Sequence, residues 1–171
     1  YLTGSLFDAC QNGKDPYGLN LASDLPQWFK FETPIFTPTT KGIKDEPLNS
    51  AKVRETFPEI VTSLEKLFKD FTKFAQERGI IVVDTKFEIF VNSKGEWVLG
   101  DEVLTPESSR FISKEDFDAK NYISMDKQIL RDFGKADNWK EKAKELKSGE
   151  KLEVNVPQSI KDKILSGYTT I

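Results

Sequence analysis

The chain has 171 residues, 37% hydrophobic and 31% charged, with a net charge of −3, one cysteine and no histidine. The length suffices for a packed core in one compact domain, or in a domain with an appendage. Imidazole catalysis and an internal disulfide are excluded, and a broad basic surface for nucleic acid is not expected. With no apolar run long enough to span a bilayer and no signal peptide, no membrane association is expected and the expected location is cytoplasmic.

In chain order, Tyr1-Leu2-Thr3-Gly4-Ser5 opens without an initiator methionine, which reads as the start of a fragment. Gly4-Ser5 begins a helical stretch in which Ser5 can cap the first-turn amides. Cys10 has no histidine to activate it and reads as a small buried thiol. Asn12 to Leu25 reads as loop, and the aromatic Gln27–Glu32 is a candidate short strand. The two prolines of Pro34 to Lys41 rule out a helix interior and suggest an extended edge segment. A polar loop carrying Asp45-Glu46 follows. From Thr56 to Arg78, Ile60, Leu64, Leu67, Phe68, Phe71 and Phe74 recur at helical spacing. Thr56 is the expected cap, Pro58 fits the first turn, and Gly79 stops the helix.

The stretch Ile80 to Arg110 carries the densest chemistry. Ile80–Val91 reads as a strand entering a turn at Asn-Ser-Lys-Gly, with a second strand through Gly100 completing a β-hairpin. Alternation places Asp84, Lys86 and Glu88 on one face and Val83, Thr85, Phe87 and Ile89 on the other. The amphipathic helix is expected to pack on that apolar face, leaving the charged one open. A loop centred on Ser93-Lys94 predicts Lys86 opposite Asp101 and Glu88 opposite Leu99. Glu88 and Asp101 then lie on a diagonal of roughly 7–8 Å, close enough to converge on one hard cation. The plainer reading is a solvated sheet face. Leu104 to Arg110 follows as a turn dense in hydroxyls and closed by an arginine, which suits phosphate. Further on, Ser113 caps a short helical turn, Ser124 or Asp126 caps a helix running to Phe133 and stopped at Gly134, Trp139 to Leu146 is a charged helix, Leu152–Pro157 is extended, and Gln158 to Leu165 is a final short helix.

The strings VDTKFE, LGDEVLTPESSRF and MDKQILRD, preceded by YLTGS and PIFTPTTK, resemble the SAICAR synthetase family (phosphoribosylaminoimidazole-succinocarboxamide synthase) of purine biosynthesis, in the family's order from Tyr1 to about Phe133. The resemblance implies an α+β fold, an antiparallel sheet with helices packed on one face, like the second, ATP-grasp-like part of those enzymes. Residues 1–133 would form a substrate- and metal-binding domain without the amino-terminal ATP-covering lobe, and 134–171 a carboxy-terminal helical appendage. The implied reaction is ATP-dependent ligation of aspartate to carboxyaminoimidazole ribonucleotide through an acyl phosphate, giving SAICAR, ADP and phosphate.

Carried over residue by residue, the resemblance implies ATP and Mg²⁺ as cofactors, with Glu88 and Asp101 as metal ligands and Lys127 as a further nucleotide contact. Lys86 and Asp84 are the implied catalytic pair: Lys86 orients the substrate carboxylate or the phosphoryl group, and Asp84 pairs with Lys86 or a second metal. Ser5, Ser109 and Arg110 would cradle the substrate phosphate. Lys41, Asp45 and Arg131 are the remaining substrate contacts, although Lys44 stands where relatives usually carry histidine before Asp45. A homo-oligomer, or a partner chain supplying the missing lobe, would cover the exposed sheet edge. Three readings stay open: a SAICAR synthetase or the larger part of one, a truncated non-catalytic relative serving as a binding module, and a hydrolase using Glu88 and Asp101 as acid and base.

Overall fold

A computed structural model describes residues 1–126 and 128–170, so Lys127 lies outside the described residues. The chain divides into two compact units, residues 1–73 and 74–171.

In the first unit, helix α1 spans Gly4–Gln11. Thr3 takes the N-cap position with an extended backbone, and its carbonyl accepts from the amide of Phe7. Ser5 therefore sits inside the first turn, exposed, rather than at the cap predicted for it. Cys10 is buried as expected, its thiol donating to the Ala22 carbonyl at 2.9 Å. The stretch 27–32 forms no strand: Trp28 has φ 69°, the Trp28 amide donates to the Leu2 carbonyl, the Leu2 amide to the Phe29 carbonyl, and the Phe29 amide turns back to the Pro26 carbonyl. The Pro34–Lys41 segment is extended, with one antiparallel bridge between Thr39 and Pro47.

The helix predicted from Thr56 to Arg78 is present over Pro58–Gln76, and a separate helix that the spacing did not announce precedes it, with Thr56 as its last residue instead of the cap of the next. Helix α2 covers Ser50–Thr56 and is capped by Asn49, whose side chain accepts from the Lys52 amide at 3.0 Å. Phe57 breaks the run, and α3 starts afresh at Pro58 and continues to Gln76. Proline tolerates only a first-turn position, so the helix before it has to end.

In the second unit, β1 (Ile80–Thr85) pairs antiparallel with β4 (Ser109–Ser113), and β2 (Glu88–Val91) pairs antiparallel with β3 (Trp97–Gly100). The expected continuous strand from Ile80 to Val91 is thus interrupted at Lys86-Phe87, where the chain changes partner. A bulge between Val82 and Asp84 breaks the alternation as well, because two residues of β1 there face one of β4. Val82 and Val83 are consequently both buried, at 1% and 2% exposure, where strict alternation would have opposed them. The β2–β3 loop runs from Asn92 to Glu96, with Gly95 at φ 79° and the Asn92 side chain accepting from the amides of Lys94 and Glu96. This loop is one residue longer than predicted, so Glu88 faces Gly100 and Ile89 faces Leu99. At Gly100 a Cβ would lie 2.7 Å from the Phe90 ring, so a larger residue there would displace that part-exposed side chain.

Helix α4 (Lys114–Asp118) is capped by Ser113 as predicted and packs on β1 and β4. Helix α5 (Gln128–Ala136) begins after Asp126 caps the Gln128 amide at 2.8 Å. It continues past Gly134, which serves a close approach instead of a stop, since a Cβ there would meet the Trp139 ring at 2.6 Å. Helix α6 (Trp139–Lys144) and helix α7 (Gln158–Thr170) both pack against α5. None of the described helices is long and apolar enough to cross a membrane.

Phe111, Ile112, Val82 and Val83 form the buried centre of this unit, and Asp126 is buried among them with no solvent exposure. Its carboxylate accepts from the Phe111 amide at 3.0 Å and from the Ser124 hydroxyl. Truncation to alanine would strand these buried donors, so Asp126→Ala should lose about 2–4 kcal/mol of unfolding free energy in a urea titration. Burial raises the Asp126 carboxyl above its ordinary 3.8, against the opposing pull of its hydrogen bonds and of Arg110. A carboxyl raised in the folded state holds its proton more tightly there than in the unfolded chain. Stability therefore falls as pH rises from 3.8 through the raised value. The stability of the wild type relative to Asp126→Asn should decline across that acid window, and a difference that grows with pH would contradict the burial effect.

Candidate functional site

The partner switch after Thr85 creates a cleft. β1 ends against β4, where Thr85 faces Ser109 and their hydroxyls lie 2.8 Å apart. The Lys86 amide then donates to the Ser108 carbonyl at 2.7 Å, pinning the first residue beyond the strand to the loop that precedes β4. Glu88 starts β2 and Asp101 lies just past the end of β3, in a left-handed conformation with φ 57° that turns the chain out of the sheet. Lys86, Glu88, Asp101, Glu102, Glu107 and Ser108 line one open cleft.

Four carboxylates thus share a concavity with one ammonium group, a balance that favours a cation. Glu88 is the buried member at 9% exposure, and the Lys86 ammonium sits 2.7 Å from it. Among the described residues no three acidic, histidine or cysteine side chains are grouped to hold a metal ion by themselves. A hard divalent ion that keeps waters and phosphate oxygens in its shell needs only one or two protein carboxylates, so the oxygen donors present fit Mg²⁺.

The sequence-predicted residues divide as follows. Lys86, Glu88 and Asp101 are brought together, although Asp101 arrives from beyond the strand end instead of opposite Lys86. Asp84 is engaged by Arg110, its register partner on β4: the guanidinium Nε donates at 3.1 Å and Nη2 lies 2.7 Å from the other carboxylate oxygen. Ser109 is buried at 4% exposure within the same strand pair. Arg131 is exposed on α5. Ser5, Lys41 and Asp45 belong to the first unit, where all three are exposed.

Glu102, Glu107 and Ser108 are cleft residues that pattern reasoning left unassigned. The hydroxyls expected to face phosphate hold the loop in shape: Thr105 Oγ1 donates to Glu102 at 2.8 Å, and the Thr105 amide donates to Ser108 Oγ at 3.1 Å. The clue was the ST-rich turn itself, since such hydroxyls bond their own backbone and fix which neighbouring side chains project. No comparable local signal pointed to Tyr168, whose hydroxyl donates to the Glu107 carboxylate from α7.

The fold and the cleft define an α+β chain whose concave chemistry is carboxylate and ammonium, with neither imidazole nor thiol. The sequence model of the SAICAR synthetase family matches residues 1–146, and the chain belongs to that family. It is 41% identical over 147 residues to the phosphoribosylaminoimidazole-succinocarboxamide synthase of Pichia angusta, covering 78% of this chain and 47% of that one. The synthase of Komagataella pastoris is 33% identical and is matched by 100% of this chain over 58% of its own length. Among solved structures, the SAICAR synthase from Saccharomyces cerevisiae complexed with SAICAR superposes with a TM-score of 0.66 at 34% identity, covering 99% of this chain and 56% of that one. A SAICAR synthetase in complex with ADP superposes with a TM-score of 0.53 at 28% identity, covering 76% and 57%. The chain therefore spans about half the length of the curated relatives it matches.

The two-pronged Asp84–Arg110 contact predicts a measurable coupling across β1 and β4. A double-mutant cycle with Asp84→Asn and Arg110→Lys, read by urea unfolding, should give about 1 kcal/mol, because the pair is only partly exposed and lysine cannot reproduce the fork. Additive single effects would show that the pair contributes nothing.

Proposed function

We propose that this chain supplies the metal-binding and substrate-activating part of an ATP-dependent ligase of purine biosynthesis, joining aspartate to carboxyaminoimidazole ribonucleotide. The observation that carries the reading is the convergence of Lys86, Glu88 and Asp101 on one cleft in a chain of the SAICAR synthetase family. In the proposed reaction the imidazole carboxylate oxygen attacks the γ-phosphorus of ATP, releasing ADP and leaving an acyl phosphate. The aspartate amine then attacks the acyl carbon, phosphate departs, and the amine loses a proton as the amide forms.

Glu88 and Asp101 would hold Mg²⁺, which when bound neutralises charge on the phosphates being separated. Lys86, already beside Glu88, can turn its ammonium to the substrate carboxylate and hold it in line for attack. Its attraction to the charge that develops on the transferring group would favour the transition state over the ground state. Arg110, oriented by Asp84, would offer its remaining donors to the substrate phosphate, a role the guanidinium fork suits. Ser5, Lys41, Asp45, Arg131 and Lys127 remain proposed contacts for substrate and nucleotide, and an oligomer or a partner chain remains part of the same proposal.

In the complete enzyme carrying this chain, Asp101→Asn should lower aspartate-dependent ADP release at least about a hundredfold while the unfolding midpoint moves by no more than about 2 °C. A retained rate refutes the metal role. A second reading is a non-catalytic binding module that keeps the same cleft. ADP release by the 171-residue chain alone, given ATP, Mg²⁺, the carboxylated imidazole nucleotide and aspartate, would dismiss it.

A further inference from the structure

Helix α7 lies beyond the residues matched by the family model, yet it reaches the cleft. Its last turn is seated closely on the segment before α5: a Cβ on the buried Gly167 would lie 2.5 Å from the Met125 carbonyl oxygen and 3.0 Å from the carbonyl carbon. Only glycine lets the helix approach that backbone so nearly, and α7 also packs along α5. The next residue, Tyr168, is thereby aimed at the loop before β4, where its hydroxyl donates to Glu107 Oε1 across 61 residues of sequence. Glu107 in turn lines the cleft with Glu88 and Asp101.

We propose that Tyr168 is a positioning residue for the cation cleft, acting through Glu107: α7 holds the Glu107 carboxylate against the wall shared with Glu88 and Asp101, so that it faces the ion these two bind. The proposal rests on the cation reading given above. A bond from a phenol to a carboxylate is charge-assisted and short-ranged, so it selects one rotamer of a side chain that would otherwise sample several. Partial burial, followed by the bond to Glu107 and the charges of Glu107, Asp126 and Glu102, pushes the Tyr168 hydroxyl well above its ordinary value, and it stays a donor throughout the neutral range. Partners of this kind orient carboxylates at ion sites, and their loss typically costs 10–100-fold in affinity.

The test uses the purified 171-residue chain and Mn²⁺ as the probe, with free ion followed by electron paramagnetic resonance. Tyr168→Phe should weaken Mn²⁺ binding about tenfold with little change in the unfolding midpoint. In a Glu107→Gln background the same substitution should change affinity by less than about twofold, because the residue it acts through is already lost. An unchanged affinity in Tyr168→Phe overturns the proposal, as does an equal loss in both backgrounds, which would mark a general packing role. A wild-type chain that binds no Mn²⁺ overturns the cation reading itself, and this proposal with it.

Discussion

A single change of strand partner organises the second unit. β1 is satisfied by β4 as far as Thr85, and β2 is satisfied by β3 from Glu88 onward, so the two residues between them must leave both ladders. The Lys86 amide finds its acceptor in Ser108, which draws the loop from Asp101 to Ser108 against the start of β2. This hydrogen bond replaces the ladder partner that the Lys86 amide loses where β1 ends. Its consequence is chemical: a lysine, a buried glutamate and a loop bearing three further acids share one concavity.

That arrangement is supported from behind by Asp126. Its carboxylate ties the Phe111 amide of β4 to the first turn of α5, and the charge beside it belongs to Arg110, which reaches across to Asp84. Strand, loop and helix are thus joined through polar groups whose positions are set by burial. The β2–β3 hairpin is different in kind. Phe90, Val91, Trp97, Val98 and Leu99 are all more than a third exposed, so its register is held by ladder hydrogen bonds and the Asn92 turn more than by burial of side chains.

Local chemistry made much of this legible from the residues. The Ser113 cap, the Asp126 cap, the helical run from Pro58 and the turn after Val91 are each written in short-range rules. Lys86, Glu88 and Asp101 do line one cleft, but the predicted register is one residue out and the Val82–Asp84 bulge breaks the alternation just before them. A bulge depends on how two distant strands meet, and nothing in β1 by itself announces it. Gly134 read as a helix stop for the same reason, since the Trp139 ring that demands a glycine is brought there by the turn into α6. Tyr168 was invisible because its partner is fixed by helix packing alone.

The central claim is that a divalent cation is held between Glu88 and Asp101. Mn²⁺ added in small amounts to ¹⁵N-labelled chain broadens amide resonances near its binding position, and the most direct measurement is the map of that broadening. The account predicts loss of signal first at Lys86, Glu88, Asp101 and Glu107. Broadening centred instead on the exposed acids Glu115 and Asp118, with the cleft resonances intact, would contradict it.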